Sequence, residues 1–223
     1  MTQHKLDARD YEAASKFIAA NTKLMSPPLV PEIVLHLAEE SMPIWQKSED
    51  ELGEMNVPPP YWAFAWAGGQ ALARYLLDNV EICQHKRVLD LGAGSGLTAI
   101  AACRSGAHHV LAADIDELAL AACRLNATAN AVEFSTTHDD ILARSVDAFD
   151  VVLVGDLFYE RALADRVIAT VDAAKALGAL VLIGDPQRSY FPRDRFTRLT
   201  DYQVPVTRDL EDSEIKRTTV WRA

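Results

Sequence analysis

The residues with the clearest chemical potential form a glycine-rich turn. Its members are Gly92, Ala93, Gly94, Ser95 and Gly96. The glycines have GxGxG spacing, whereas dinucleotide-binding folds use GxGxxG, and Leu97 stands where the third glycine of that fingerprint would be. Both turns let a ligand approach the backbone, but only the dinucleotide form seats a pyrophosphate on helix amides. The turn alone indicates either a ligand site or merely a tight connection between a strand and a helix.

Asp90 lies two residues before the turn, at the end of an apolar run. A carboxylate at this place repels phosphate but can hold an ammonium group through the backbone or a water molecule. The amino-acid end of S-adenosylmethionine carries such an ammonium. Asp90 therefore favours S-adenosylmethionine as the ligand and disfavours an NAD-dependent oxidoreductase or a non-catalytic nucleotide-binding module.

Two further acidic positions follow the next predicted strands. Asp114 ends the second strand, where a carboxylate can accept both ribose hydroxyls. After the third strand, Asp140 can accept the adenine amino hydrogens while Ile141 packs on the ring. Asp116 is favoured as a helix cap, and Asp139 is equally well explained as a solvated loop residue. Three acids after three successive strands are a more specific pattern than any one of them.

The fourth predicted strand leads into a motif with an acid and an aromatic residue, Asp156-Leu157-Phe158-Tyr159. Ligands bind beyond the carboxyl ends of strands in open α/β sheets, so Asp156 and Tyr159 are expected to face the transferred methyl group. The alternatives are that Tyr159 is a core residue and that Asp156 caps the next helix. Asp185, at the end of the fifth strand, either lines the substrate mouth or simply ends the strand.

Cysteine and histidine usage argues against a metal site. The cysteines are odd in number and have no CxxC spacing; they are Cys83, Cys103 and Cys123. Unpaired thiols predict a reducing, cytoplasmic setting. His108 and His109 sit at a strand entry, and His138 has no partner at helical spacing. We therefore predict that the protein holds no metal.

The elements that must position these residues alternate regularly from Val88 onward. Short apolar runs and helical patterns follow one another, which predicts βαβ units and a doubly wound, mostly parallel α/β sheet. The seven predicted strands cover residues 88–91, 110–114, 132–137, 151–155, 179–184, 202–206 and 218–221. Helices are expected after the glycine turn, from Asp116 through Asn130, and before Gly178, which suits a left-handed cap.

The segment before this domain is predicted to be a helical extension. Residues 8–40 have a helical pattern interrupted by prolines, so two short helices around a kink are expected. Residues 48–60 are acidic and then proline-rich, which predicts a loop or a lid. We therefore divide the chain into an N-terminal extension, residues 1–57, and a single catalytic domain, residues 58–223.

Composition limits the possible partners. The chain has 223 residues, 49% of them apolar, and a formal net charge of -10, which suits one domain and repels nucleic acid. A macromolecular partner is expected to be basic, although the acidity would equally serve solubility alone. No signal sequence, transit peptide or membrane helix is recognised. We expect a cytoplasmic monomer.

Six stretches together carry a resemblance to a known family. They are residues 61–63, 68–79, 88–96, 156–159, 182–186 and 218–221. Residues 88–96 resemble the first motif of class I methyltransferases, and residues 156–159 resemble the Asp-x-x-Tyr/Phe motif of seven-β-strand protein lysine methyltransferases. As a set, the stretches are similar to the electron transfer flavoprotein beta-subunit lysine methyltransferases. Ala67 replaces a proline of some relatives, and residues 1–57 match too loosely to carry an assignment.

This resemblance implies a function and a set of site residues. The implied reaction is methyl transfer from S-adenosylmethionine to lysine side chains of the flavoprotein's beta subunit, on a Rossmann-like sheet with a central first strand and an antiparallel last strand. The implied contacts are Gly92, Gly94 and Gly96 for methionine, Asp114 for ribose, Asp140 for adenine, Trp66 beside the cofactor, and Asp156 with Tyr159 for the lysine. Another lysine-rich protein, such as a ribosomal one, or a small-molecule amine remains an alternative substrate.

The chemistry of the lysine constrains the role of Asp156. A free lysine has a pKa of about 10.4, so presenting the neutral amine near pH 7.4 costs roughly 4 kcal/mol. A carboxylate nearby favours the ammonium instead. We therefore expect Asp156 to position the lysine while its proton leaves to water, and Trp66 and Tyr159 to add cation–π attraction on the order of 1 kcal/mol each.

Overall fold

Strands and helices alternate over most of the protein. A computed structural model describes residues 6–39, 57–143, 149–206 and 215–223. The strands are β1 (Lys23–Met25), β2 (Leu35–Leu37), β3 (Arg87–Leu91), β4 (His109–Ala113), β5 (Ser135–Thr137), β6 (Val151–Gly155), β7 (Leu180–Asp185), β8 (Thr197–Pro205) and β9 (Ile215–Arg222). The longer helices are α1 (Tyr11–Asn21), α2 (Ala67–Asp78), α3 (Leu97–Arg104), α4 (Glu117–Ala129) and α5 (Arg161–Ala176).

One sheet of the described residues contains seven strands in the order β5-β4-β3-β6-β7-β9-β8. Strands β3 to β7 pair in parallel, and β9 is antiparallel to both β7 and β8. This confirms the predicted mostly parallel sheet with its first strand in the centre. From β3 the chain adds β4 and β5 toward one edge of the sheet, and from β6 it adds β7 and the last two strands toward the other edge. The carboxyl ends of β3 and β6 therefore flank the switch point where open sheets bind ligands.

The elements of this sheet lie close to their predicted positions. Strand β6 coincides with its prediction, whereas β5 is shorter than predicted and begins at Ser135. Strands β8 and β9 are longer than predicted and begin five and three residues earlier. Asp116 caps α4, because its Oδ1 accepts a hydrogen bond from the Leu118 amide at 2.9 Å. Gly178 follows α5 with a φ of 90°, which confirms the left-handed end of that helix.

The N-terminal segment differs from its prediction. It contains one helix, α1, capped by the Asp10 carboxylate, and then the antiparallel pair β1 and β2 instead of a second helix. The chain between the two strands contains Pro27, Pro28 and Pro31. Proline has no amide hydrogen and clashes with the preceding helical turn, so a helix cannot run through this stretch. Most of the loop predicted at residues 48–60 lies outside the described residues.

The described part of the N-terminal extension packs onto the sheet domain. Leu35 and Leu37 belong to the same buried core as α2 and α3, and Ile18 packs α1 against α4. The His36 amide donates a hydrogen bond to Asn126 Oδ1 at 2.7 Å. The division of the chain at residue 57 stays a prediction.

Helices cover both faces of the sheet. Leu72 of α2 and Ile100 of α3 are fully buried on one face together with Leu153, while Val167 of α5 packs with Val152 on the other. Neighbouring residues of β6 thus point to opposite faces, and a strand buried on both faces is apolar throughout. Within the described ranges, the helices are too short or too polar to cross a membrane.

Helix α2 touches β7 backbone to backbone. A Cβ atom on Gly184 would lie 2.1 Å from the carbonyl oxygen of Gly68, so only glycine fits at this crossing. The close approach places the amino end of α2 beside the carboxyl ends of β6 and β7. The amide of Gly69 consequently reaches the side chain of Asp156, at 3.0 Å.

Candidate active site

The glycine turn joins β3 to α3 at the centre of the sheet. The φ angles of Gly92, Gly94 and Gly96 are 68°, 52° and 78°, a region that glycine adopts without steric cost. A Cβ atom on Gly94 would clash with nothing, since its nearest neighbour, Trp62 Cα, would lie in ordinary van der Waals contact 3.9 Å away. The backbone of the turn is therefore open to a ligand on this side.

Asp114 connects the turn to the end of β4. Its Oδ2 accepts a hydrogen bond from the Gly94 amide at 2.9 Å, and its Oδ1 accepts one from the Asp116 amide at 3.0 Å. Burial raises the pKa of this carboxyl, against the effect of the backbone hydrogen bonds. Each carboxylate oxygen has a second lone pair, so Asp114 keeps acceptor capacity for hydroxyl groups. The arrangement fits the predicted contact with ribose.

Asp90 lies in the interior behind the turn. Asp90 is only 1% exposed, and its Oδ2 accepts a hydrogen bond from the Ala99 amide at 3.0 Å. Burial raises the pKa of Asp90 to about 6, although a hydrogen bond with Thr98 lowers it. These contacts fix the first turn of α3. Any influence of Asp90 on a ligand therefore passes through the backbone of the turn.

Ser95 is held by a residue that the sequence analysis did not single out. Asn126, fully buried on α4, donates from Nδ2 to the Ser95 carbonyl at 2.8 Å. Its Oδ1 accepts the hydrogen bond from His36. Asn126 thereby links the N-terminal segment, α4 and the glycine turn. In the sequence, Asn126 stands within the apolar stripe of the helix predicted from Asp116 through Asn130. This position could have indicated a structural role, because buried amides are almost always hydrogen-bonded.

The predicted adenine contacts lie at the same edge of the sheet. Asp140 Oδ1 accepts a hydrogen bond from the Leu142 amide at 3.1 Å, and Asp140 Oδ2 forms an ion pair with Arg166 at 2.6 Å. Ile141 begins a short helical turn and is partly buried against the core beside α5. Asp140 is thus already engaged by α5, and its contact with adenine stays a prediction.

Asp156 follows β6 in an unusual conformation. Its φ is 58°, which residues other than glycine rarely adopt. The side chain contacts the amino end of α2, where the Gly69 amide donates to Oδ2. The alternative role as a cap of α5 is wrong, because α5 begins after Glu160 and has no side-chain cap. A carboxylate beside a helix amino end is stabilised by the partial positive charge there.

Arg188, in the segment after β7, also contacts Asp156. Its Nη2 and Nε lie 2.8 Å and 3.2 Å from Asp156 Oδ1, and its Cζ lies 5.6 Å from the centre of the Trp66 ring. The Arg188 amide donates to Asp185 Oδ1 at 2.8 Å. Sequence reasoning noted Asp185 and missed Arg188. An arginine three residues beyond a strand end was the only signal.

Three aromatic residues, Tyr61, Trp66 and Tyr159, form an aromatic rim beside Asp156. The Tyr159 ring lies 6.0 Å from the Tyr61 ring, which lies 6.1 Å from the Trp66 ring. Trp66 Nε1 donates to the Tyr61 carbonyl at 2.9 Å. Tyr159 is 48% exposed, so the alternative that it is a core residue is wrong.

A small cavity connects the turn and Asp156. It has a volume of about 50 Å³, and its wall includes Phe64, Trp66, Gly69, Gly92, Gly94 and Asp156. The cavity has room for the reacting end of a ligand rather than for a whole cofactor. The two motifs that the sequence analysis treated separately therefore face one space.

A larger cavity lies away from these residues. It has a volume of about 320 Å³ and is lined at the amino ends of β4 and β5 by residues that include Cys103, His108 and Glu133. Ligands of open α/β sheets bind at the opposite, carboxyl ends of the strands. Among the described residues, histidine, cysteine, aspartate and glutamate side chains form no cluster of three that is arranged to hold a metal ion.

Comparisons with known proteins identify the family. A family model described as ribosomal protein L11 methyltransferase (PrmA) matches residues 70–175. The electron transfer flavoprotein beta subunit lysine methyltransferase of Danio rerio is 39% identical over 213 residues, which cover 92% of this chain and 81% of the relative. The protein of the same name from Homo sapiens is 38% identical over 212 residues, covering 92% and 80%. The chain belongs to this lysine methyltransferase family.

Solved structures show the same fold as this methyltransferase. The ribosomal protein L11 methylase of Lactobacillus delbrueckii subsp. bulgaricus has a TM-score of 0.50 at 18% identity, covering 81% of this chain and 93% of the other. Magnesium protoporphyrin IX methyltransferase from Synechocystis PCC 6803, solved with bound S-adenosylmethionine, has a TM-score of 0.52 at 13% identity, covering 81% and 88%. Similarity at these identities establishes the class I methyltransferase fold alone.

The methyl donor of this lysine methyltransferase is S-adenosylmethionine. The residues at the switch point fit that molecule, since Gly94 leaves a space that any Cβ would fill and Asp114 offers acceptors beside it. The small cavity lies between the turn and Asp156. The individual cofactor contacts of the turn, Trp66, Asp90, Asp140 and Ile141 stay predictions.

Proposed function

We propose that this methyltransferase transfers methyl groups from S-adenosylmethionine to lysine side chains of the electron transfer flavoprotein beta subunit. The observation that carries the proposal is a cavity bounded by both the glycine turn and Asp156. It brings the donor site and the Asp-x-x-Tyr motif together at the switch point of the sheet. The shared name of relatives that align over nine-tenths of the chain supports the choice of substrate.

The residues around the cavity have to present an unprotonated amine. When bound, S-adenosylmethionine supplies an electrophilic methyl group on a sulfonium. Asp156 is poorly suited to remove the lysine proton, because both of its oxygens already accept hydrogen bonds, from the Gly69 amide and from Arg188. Asp156 instead accepts a hydrogen bond that orients the amine, and the proton leaves to water. Holding the reacting atoms in line is a large part of the rate enhancement of such a step.

The aromatic rim receives the rest of the lysine side chain. Tyr61 and Tyr159 are 55% and 48% exposed, so they border the entrance from solvent. Their rings offer an apolar surface to the methylene groups of a lysine and a negative face to its cationic end. The overall charge of -10 favours approach of a lysine-bearing surface.

Methyl transfer to the purified subunit tests this proposal. The protein is incubated with S-adenosylmethionine labelled in the methyl group and with the flavoprotein beta subunit, and the modified residues are mapped by mass spectrometry. We expect label on lysine side chains and none on a subunit whose lysines have been acetylated. Absence of label from the intact subunit, with label on another protein in a cell extract, contradicts the proposed substrate.

A ribosomal protein is the second candidate substrate. The match of residues 70–175 to the ribosomal protein L11 methyltransferase model supports it. That region contains the glycine turn and Asp156 and belongs mainly to the donor half of the site, which is shared between substrates. A ribosomal protein fraction assayed in parallel separates the two candidates, and label in a small-molecule fraction alone would point to an amine substrate.

A further inference from the structure

Helix α4 holds the backbone of the glycine turn through two side chains. Cys123 Sγ donates to the Gly94 carbonyl at 3.4 Å, and Asn126 Nδ2 donates to the Ser95 carbonyl at 2.8 Å. Both residues are fully buried, and a spacing of three positions puts them on one face of the helix. Two consecutive carbonyls of the turn are therefore fixed by α4.

The side chain of Asn126 also holds the N-terminal segment. The orientation of its amide is fixed, because the Ser95 carbonyl can only accept a hydrogen bond and so requires the NH2 group. Asn126 Oδ1 consequently faces His36 and accepts from its backbone amide at 2.7 Å and from its Nδ1 at 3.0 Å. A single planar group thus joins the backbone of residue 36 to the backbone of residue 95.

Asn130, at the end of α4, binds the neighbouring part of the N-terminal segment. Its Nδ2 donates to the Val34 carbonyl at 2.6 Å, and its Oδ1 accepts from the Val34 amide at 3.1 Å. Asn130 thus satisfies both backbone groups of this residue, as a neighbouring strand would. Arg104 of α3 adds a hydrogen bond to the Glu32 carbonyl at 2.7 Å. Residues 32–37, which we call the β2 segment, are therefore fastened by side chains of two helices.

We propose that Asn126 is a positioning residue that couples docking of the β2 segment to cofactor binding at the glycine turn. In the docked segment, His36 holds the Asn126 amide in the orientation that supports the Ser95 carbonyl. Undocking removes both donors from the buried Asn126 Oδ1, and the unpaired amide no longer has a fixed orientation. The turn then loses its support. Because such coupling is reciprocal, bound cofactor also holds the segment in place.

The coupling concerns the methyl donor and is independent of the protein substrate. It requires S-adenosylmethionine, or its product S-adenosylhomocysteine, at the glycine turn. Both tests below measure amide exchange and cofactor binding instead of methyl transfer. A failure of the proposed flavoprotein substrate therefore leaves both of them intact.

Hydrogen exchange of the Val34 amide provides the first test, because this amide reports local opening of the β2 segment. S-adenosylhomocysteine at about ten times its Kd should slow the exchange about tenfold if the opened segment does not support binding. Val167 of α5 packs on the opposite face of the sheet and is the internal reference for global unfolding. A Val34 exchange rate that the ligand does not change overturns the proposal.

Asn126→Leu cuts the link between the segment and the turn while occupying a similar volume. At ten times the Kd of this variant, the ligand should slow Val34 exchange less than twofold, although it still slows that of Val167. Asn79→Leu is the matched control, because Asn79 Nδ2 donates to the Tyr75 carbonyl within α2, and it should keep the tenfold effect. Equal slowing of Val34 in Asn126→Leu and in the unmodified protein overturns the proposal.

Cofactor affinity provides the second test. Asn126→Leu should weaken the binding of S-adenosylhomocysteine about tenfold in calorimetry, the effect of one or two lost hydrogen bonds, and Asn79→Leu should leave it within about twofold. If Asn126→Leu does not fold, Asn126→Asp keeps the shape and an acceptor for His36, but its carboxylate cannot donate to the Ser95 carbonyl. The same losses are expected of that variant. An affinity equal to that of the unmodified protein overturns the proposal.

Discussion

Asp156 combines an unfavourable backbone with a demanding electrostatic position. A left-handed conformation costs a non-glycine residue on the order of 1 kcal/mol or more, and such strain is typical of residues that have to aim a functional group. The strained backbone turns the carboxylate toward the Gly69 amide and Arg188. The conformation of Asp156 therefore serves to orient its carboxylate and does not add to the stability of the fold.

Replacing Asp156 by asparagine separates its charge from its shape. Asparagine tolerates the left-handed conformation and keeps one of the two acceptor oxygens, so Asp156→Asn retains the shape of the side chain while removing its charge. We expect kcat to fall on the order of 10²-fold, because the amine is no longer held in line, with the affinity for S-adenosylmethionine nearly unchanged; label transfer and calorimetry measure the two. Asp172→Asn, on the exposed side of α5, is the control. Full activity of Asp156→Asn would show that the role assigned to this carboxylate is wrong.

Asp114 offers a test of the cofactor contacts. Hydrogen bonds to a charged acceptor contribute about 1.5–3 kcal/mol, so Asp114→Asn should weaken cofactor binding about tenfold or more. The loss should be equal for S-adenosylmethionine and S-adenosylhomocysteine, because both carry the same ribose. Isothermal titration of both ligands measures it, with Asp165→Asn on the exposed face of α5 as control. Unequal losses would place Asp114 near the sulfur instead of the ribose.

At the scale of elements, the contact between α2 and β7 gives a stability prediction. Gly184→Ala would bring a methyl group against the Gly68 carbonyl, and two backbones cannot move apart without displacing α2. We expect a loss of about 3 kcal/mol, the upper part of the range for overpacking, and a Tm lower by roughly 10 °C. Thermal unfolding followed by circular dichroism measures the change.

The neighbouring glycine of α2 is the matched control for this prediction. A Cβ atom on Gly69 would meet nothing closer than Leu97 Cδ2 at 4.0 Å. Gly69→Ala should leave the Tm unchanged or raise it slightly, since alanine favours helices. If Gly184→Ala and Gly69→Ala lowered the Tm equally, the close approach of α2 to β7 would not be the reason why glycine occupies position 184.

The sequence predicts the central elements well because their signals are local. Strand β6 is apolar over its whole length and ends at an acid, so both its type and its bounds follow from its own residues. Strands β1 and β2 were missed because three-residue strands carry little pattern, and their stability comes from packing on α2, α3 and α4.

The same distinction applies to the site. The proximity of Asp114 to Gly94 follows from the rule that parallel strands end at one edge of the sheet. The contacts of Asn126 with Ser95 and of Arg188 with Asp156 join residues 31 and 32 positions apart through side chains whose direction no local pattern specifies. Topology thus predicts which strand ends meet, whereas the choice of side-chain partners requires the packed structure.

At the scale of the whole molecule, buried carboxyl groups determine how stability depends on pH. Burial raises the pKa of Asp90 and Asp116 to about 6 and that of Asp185 to about 7, above the unfolded value of about 3.9. Between about pH 4 and pH 7 the folded state therefore binds more protons than the unfolded state. The free energy of unfolding should fall as the pH rises through this range.

Thermal unfolding at a series of pH values checks this expectation. The Tm should be higher near pH 5 than near pH 8, and the net charge of -10 acts in the same direction through self-repulsion. Asp185→Asn should flatten the decline between about pH 4 and pH 7, most clearly from about pH 6 to pH 7, where Asp185 is the group with the highest of these pKa values. A Tm that rises from pH 5 to pH 8 in the unmodified protein contradicts the prediction.

The contact between His36 and Asn126 has a consequence for biosynthesis. The two residues are 90 positions apart, so at about 5–20 residues per second the ribosome needs about 5–20 s to deliver the partner of the N-terminal segment. During that interval Ile33, Leu35 and Leu37, which are buried in the finished protein, lack α4, the helix that packs on β2. They are available to chaperones and to other nascent chains. Residues 33–37 are thus made well before the helix that secures them.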